Sequence, residues 1–286
     1  MRYCRFGIGP LWGIIMDSSS KSVRFLYTNV FGRGLLKIIM KLHLDRIAVW
    51  FLRSSLSKIL IDRFLRRNNI SVTPQQRASF RSYRDMFART QETTADKTPS
   101  HLISPCDSLL SAFPIDENST FHLKNSHYKI SDFLQDEALA KRYIGGTCLI
   151  FRLCVSDYHH YCFIDDGYQG ENHFIPGVLH SVQPICCETV PVFVLNRRSW
   201  CRMDTENFGS VVQCEIGALV VGGIINHKEN ARVCRGEEKG HFDLAGSTIV
   251  LLLEPGKMAL LPELTDALSQ QDEVRVTLGQ WIGNSL

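Results

Sequence analysis

Residues 240–253 read Gly-His-Phe-Asp-Leu-Ala-Gly-Ser-Thr-Ile-Val-Leu-Leu-Leu, a polar, glycine-bearing approach that turns into an apolar run. Glu254-Pro255-Gly256 stops that run, so Ile249–Leu253 reads as a strand bounded by a turn. The Gly246-Ser247-Thr248 that enters it would, alone, be only another turn. It is not a G-x-S-x-G nucleophile elbow and no Walker lysine accompanies it, which excludes hydrolase and P-loop chemistry here.

Working outward, the same texture recurs. Thr147–Cys154, Val190–Asn196, Val211–Cys214, Leu219–Ile225 and Val274–Leu278 are short β-like runs punctuated by glycine and proline. Upstream the period changes. Between residues 34 and 67, Leu35, Ile38, Ile39, Leu42, Ile47, Trp50, Phe51, Ile59, Leu60 and Phe64 recur at helical intervals. That stretch predicts one or two helices, stopped at Asn68-Asn69, with a further short helix over 73–90 opened by Thr73-Pro74. Residues 1–33 read as irregular, and Gln91–Ser100 as a polar linker. The expected fold class is α+β, with a helical segment over 1–90, a linker over 91–100 and a β-rich body over 101–286.

Charge follows the same division. The net +3 of the 286 residues sums a first hundred at +12 and a remainder at −9. Lys37, Lys41, Arg46, Arg53, Lys58, Arg63, Arg66 and Arg67 lie between the apolar positions of the helical stretch. An apolar stripe carrying Trp and Phe beside a basic face suits an anionic membrane surface, and equally a helix pair docked on the body. No recognition motif supports nucleic-acid binding. The uncharged runs Phe6–Met16 and Leu244–Leu253 fall short of the about 20 residues that span a bilayer. Arg2 and Arg5 before the first of them resemble a signal peptide without its small-residue cleavage site. The 10 cysteines include no C-x-x-C pair and several in apolar runs, which predicts free thiols in a reducing, cytoplasmic setting.

Several ordered segments surround the opening stretch: Phe80–Arg89 (FRSYRDMFAR), Ser104-Pro105-Cys106-Asp107, Asp157-Tyr158-His159, Glu206-Asn207-Phe208-Gly209, Glu215-Ile216-Gly217-Ala218 and Glu237-Glu238-Lys239-Gly240. In this order, from about Phe80 to Ile282-Gly283, they resemble phosphatidylserine decarboxylase, a self-processing pyruvoyl family; residues 1–70 show no particular match. The resemblance implies that Ser247 attacks the Gly246 carbonyl and becomes a covalent pyruvoyl group, the cofactor. It implies a β chain of residues 1–246 and an α chain of 247–286 that remain partners. The implied substrate is phosphatidylserine, converted to phosphatidylethanolamine and carbon dioxide. The implied location is peripheral, at the cytoplasmic face of the cell membrane, with the oligomeric state open. Such a cofactor makes chemical sense, because loss of carbon dioxide from an amino acid leaves a carbanion that needs an electron sink.

By the same resemblance Asp107 matches the acid that orients the base for cleavage, and His159 the histidine of substrate handling. The family's Asp-Tyr-His-Arg-x-His departs here to Asp157-Tyr158-His159-His160-Tyr161-Cys162, so Cys162 stands where the cleavage base belongs. A thiol is a poor base at neutral pH. Either His159 or His160 takes over, or His180 reaches in from the next strand, or maturation is impaired; a rescuing histidine is the favoured expectation. His173 and His241 read as loop or surface residues. No metal is expected, because His159 and His160, the first of a cluster with Cys162, Asp165 and Asp166, would point to opposite faces of a strand. The alternatives are a pyruvoyl decarboxylase of a soluble amino acid and a non-cleaving lipid-binding relative.

Overall fold

The computed structural model describes residues 25–26, 28–41, 44–123, 126–178, 180–182, 186, 191–218, 223–244 and 247–286. Helices α1 (Val30–Lys41), α2 (Leu44–Arg53), α3 (Lys58–Arg67), α4 (Pro74–Ser79) and α5 (Tyr83–Phe87) come first. The expected one or two helices are thus three, the first beginning inside the stretch read as irregular. Ser54 and Ser57 divide α2 from α3 by bonding the preceding turn's carbonyls, Ser54 Oγ to Phe51 O at 2.7 Å and Ser57 Oγ to Ser54 O at 2.7 Å. The helix expected over 73–90 is likewise two, α4 with a Thr73–Gln76 capping box and α5 capped by Ser82.

The body follows as β1 (His101–Ile103), β2 (Ser108–Pro114), β3 (Thr120–Leu123), β4 (Ser126–Lys129), α6 (Ile130–Leu134) and α7 (Glu137–Ala140). Then come β5 (Thr147–Leu153), β6 (His160–Cys162), β7 (Gly167–Gln169), β8 (His173–Ile175), α8 (Val192–Leu195), β9 (Arg198–Thr205) and β10 (Gly209–Ile216). The chain ends with β11 (Gly223–Asn226), β12 (Ala231–Val233), β13 (Glu238–Asp243), β14 (Ser247–Leu253), β15 (Met258–Leu260), α9 (Pro262–Gln270), β16 (Val274–Val276) and β17 (Trp281–Ser285). The architecture is α+β, as expected. One expected strand is not formed: the run around Val192–Leu195 is a helical turn, started by Pro191 and burying Val192 and Phe193. Packing of those two side chains overrides the β preference of the sequence.

The central antiparallel sheet runs β12-β7-β9-β10-β14-β5-β2-β16, with β8 also on β9. The apolar run of the opening stretch is therefore β14, held between β10 and β5 and buried at every position. Its alternate residues serve different cores. Val250 and Leu252 pack with α6, α7, α8 and Trp200, whereas Ile249, Leu251 and Leu253 pack with Tyr161, Phe163 and Phe242 beneath a small sheet, β11-β13-β6. A third core joins the N-terminal helices to the body through Leu52, Phe64, Tyr83, Phe87 and Leu244.

The stretch read as a linker has no helix or strand, yet it is fastened. Asp96 donates its amide to Gly279 O at 3.0 Å, and Lys97 Nζ donates to Arg235 O at 2.9 Å. Gly236 and Gly279, both at positive φ, leave room for Ala95, whose atoms lie 2.6 Å from where either would carry a Cβ. Among the described residues, eight cysteines are free. No helix among the described residues is long and apolar enough to cross a membrane.

Candidate active site

Ser247 opens β14, fully buried and paired with Leu153 of β5. From Leu153 the chain passes through Asp157 and Tyr158 to His159, whose carbonyl accepts a hydrogen bond from the Phe242 amide at 2.9 Å. Segments 153–159 and 242–247 therefore form a ring, pinned at one end by the Ser247–Leu153 pair and at the other by the Phe242–His159 bond. On this ring His159 Nε2 and Ser247 Oγ are both buried without a hydrogen-bond partner, as is the adjacent Thr248 Oγ1. Buried polar atoms are nearly always paired, so orphans carried by one ring call for an explanation other than folding.

His159 Nδ1 lies 2.9 Å from Asp157 O. Donation to that carbonyl fixes the tautomer and leaves the Nε2 lone pair as an acceptor. The ring lies tilted against Phe87, with centroids 4.2 Å apart, and burial pushes its pKa down to about 3, so the imidazole is neutral at pH 7. His160 points the other way, with Nδ1 3.0 Å from Glu238 Oε1 and its ring stacked on Tyr158. Adjacent strand residues divide between faces as the alternation requires.

Asp107 precedes β2 at the same sheet end, since Leu109 pairs with Arg152, the neighbour of Leu153. Its carboxylate accepts from the Leu278 amide at 2.8 Å. Among the described residues it makes no hydrogen bond to a histidine; the group that orients His159 is the Asp157 carbonyl. Cys162 is fully buried, its thiol directed at Ser104 O 3.9 Å away, and burial pushes its pKa up to about 12. His180 sits on the β10 side. Asn196 Nδ2 donates to His180 O and to Gly217 O at 2.8 Å each, and Gly217 follows Ile216, the partner of Thr248. Burial lowers the His180 pKa. Gly246 lies outside the described residues. His173 and His241, read as loop or surface residues, both lie on strands; His173 is exposed, as a surface residue is, and stacked on Trp200 at 4.0 Å, whereas His241 is half-buried.

Two features at the site were not legible in advance. Arg89 is half-buried, with its pKa lowered by burial and its charge felt by Tyr158, Asp107, Asp157 and His159. The second is the approach to Ser247. Asp243, buried, receives Arg53 at 2.7 Å and Arg84 at 2.5 Å. The next residue, Leu244, has φ 81° and a side chain buried among the N-terminal helices. A left-handed leucine costs of order 1–3 kcal/mol and persists only where its surroundings hold it. Here α2 and α5 do so, three residues before Ser247. Asp243→Asn is expected to slow self-cleavage about tenfold: charged hydrogen bonds contribute about 1.5–3 kcal/mol, and exposure of the two arginines favours the lower figure. The time course of chain cleavage after purification checks this.

A buried serine hydroxyl on one ring with a neutral imidazole that keeps a free lone pair supplies the two groups that a nucleophile–base pair requires. Residues 80–284 match the family model described as phosphatidylserine decarboxylase. Similar proteins include phosphatidylserine decarboxylase proenzyme 2 of Clostridium acetobutylicum, 38% identical over 92% of this chain and 91% of its own. The phosphatidylserine decarboxylase proenzymes of Clostridium perfringens and Clostridium kluyveri are 34% and 33% identical, over 92% and 93% of this chain and 93% of their own. The chain belongs to the phosphatidylserine decarboxylase family. Such coverage also reaches into residues 1–70, where the sequence alone shows no particular match.

Proposed function

We propose that the protein is a self-processing decarboxylase that converts phosphatidylserine to phosphatidylethanolamine and carbon dioxide. The observation that carries this reading is the pair of orphaned atoms, Ser247 Oγ and His159 Nε2, on one closed ring at the head of β14. His159 Nε2 takes the hydroxyl proton as Ser247 Oγ attacks the Gly246 carbonyl carbon. The proton passes to the departing Ser247 nitrogen, and the peptide bond becomes an ester. Removal of the Ser247 α-proton expels the Gly246 carboxylate, and the dehydroalanine left behind takes up water and releases ammonia. The residues fit the product: the ketone oxygen, taken from water, would replace the Ser247 nitrogen at a buried strand position, and Cβ would remain as a methyl group in the space the unpartnered hydroxyl vacates. That pyruvoyl carbonyl supplies the electron sink for the carbanion left by carbon dioxide. Arg89, whose charge is felt at His159, offers a guanidinium suited to an anionic headgroup, and His159 would return a proton to the product.

The N-terminal helices supply the approach to lipid. Val30, Phe31, Trp50 and Ile59 are 71%, 83%, 67% and 80% exposed, among the exposed cations Arg33, Lys58, Arg63 and Arg66. Apolar anchors within a basic surface bind anionic bilayers peripherally, and those helices also hold Leu244. On this reading the protein works at the cytoplasmic membrane face, with the segment over 1–90 as its platform and 101–286 as its catalytic body.

The test uses vesicles containing phosphatidylserine. The purified protein is expected to release carbon dioxide and form phosphatidylethanolamine, and His159→Ala to remain uncleaved and inactive, while Cys162→Ala and His180→Ala still cleave. Cleavage by His159→Ala together with its loss in Cys162→Ala or His180→Ala would assign the base elsewhere.

A further inference from the structure

Behind His159, on the opposite face of β6, three histidines and a carboxylate converge. Glu238 Oε1 lies 3.0 Å from His160 Nδ1 and 3.5 Å from His227 Nδ1. His241 completes the group, since one donor atom each from His160, Glu238 and His241 fall within 4.8 Å of one another. Its ring centre is 4.9 Å from that of His160 and 5.4 Å from that of His227. Two imidazoles on one tetrahedral ion have ring centres about 5 Å apart, from a metal–nitrogen distance near 2 Å. His241 Nδ1 is buried and has no hydrogen-bond partner. His160 Nε2, the nitrogen turned away from the cluster, lies 3.4 Å from Ala88 O, the backbone contact that commonly orients a metal-bound imidazole.

The backbone makes this possible through a β-bulge. Glu238 and His241 are three apart, and a regular strand would set them on opposite faces. The register shift between Glu238 and Gly240 puts Glu238 opposite Cys162 and turns Lys239 inward, so Glu238 joins His241 and His160. Three imidazoles with one carboxylate suit a borderline transition ion rather than the oxygen-seeking magnesium or calcium.

We propose that His160, His227, Glu238 and His241 bind one zinc-class divalent ion, which ties β6, β13 and the turn after β11 together behind the cleavage site. The ion would be structural, with four protein ligands and no open position. It would brace β13, the strand that leads into the strained turn at Leu244.

The test titrates the full-length protein, stripped with a chelator and dialysed, with zinc and then with cobalt. One zinc per chain is expected, undisplaced by millimolar magnesium. Cobalt is expected to give the visible bands of a tetrahedral nitrogen and oxygen site, without the strong near-ultraviolet band that a thiolate such as the exposed Cys234 would add. Glu238→Gln and His241→Ala should each weaken zinc binding at least about tenfold, the loss that even an outer partner can cause. His227→Ala, on an exposed turn where folding is not at stake, should weaken it too. No stoichiometric zinc, a thiolate spectrum, or His227→Ala and His241→Ala both binding as tightly as the parent would overturn the proposal.

Discussion

Ser247→Ala is expected to leave the chain whole and without decarboxylase activity. The hydroxyl is the nucleophile of cleavage, and its departure with the Gly246 carboxylate creates the dehydroalanine from which the ketone forms, so no other group on the ring can substitute for it. The loss should therefore reach the background of the assay, while the fold survives. Alanine removes a single buried oxygen that has no hydrogen-bond partner, so nothing is left unpaired by its removal. An uncleaved yet fully active Ser247→Ala protein would refute the assignment. So would a cleaved one. A protein that also loses its cooperative melt would mean that Ser247 serves packing instead.

The second large effect concerns stability. Lys239 Nζ lies 2.9 Å from Glu215 Oε1, and both side chains are wholly buried. Asn226 braces the pair, accepting from Lys239 at 3.1 Å and donating to Glu215 Oε2 at 3.2 Å, while Tyr161 OH donates to Asn226 at 3.0 Å. Glu215 pairs with Ile249, two residues beyond Ser247, so this network underlies the catalytic strand. Removing one member of a buried pair costs about 3–5 kcal/mol, because the other charge is stranded. Glu215→Ala, made in the uncleavable Ser247→Ala background so that one chain is compared with one chain, should melt roughly 10 °C lower. Adding Lys239→Met should recover part of that loss, since no lone charge then remains. A Glu215→Ala melt within about 2 °C of its parent would show that the pair is not integral to the fold.

How far the molecule was legible in advance depended on range. The apolar run Ile249–Leu253 and the change from helical to alternating texture near Gln91 are local patterns, and both appear in the elements formed. Asp243, by contrast, is bound by Arg53 and Arg84 from 190 and 159 residues away, and no spacing rule foretells that. The strand Glu238–Asp243 went unread because Glu-Glu-Lys is not β-like; its inward lysine is tolerated only because Glu215 awaits it. His159 and His160 do turn apart, His159 toward the Asp157 carbonyl and His160 toward Glu238. A bulge and two strand pairings collect His160, Glu238 and His241 instead. Cys162 drew attention as a replaced base, but only burial and its contact with Ser104 show how poorly a proton would leave it.

The central claim is that the chain cuts itself before Ser247. The intact mass of the purified wild-type protein under denaturing conditions tests it most directly. Two chains are expected in place of the 32.5 kDa precursor. They should comprise residues 1–246 and 247–286, the smaller lacking a free amino terminus and lighter than its encoded sequence by the exchange of the serine amine for a ketone. A single species of 32.5 kDa, stable through purification, would contradict the account.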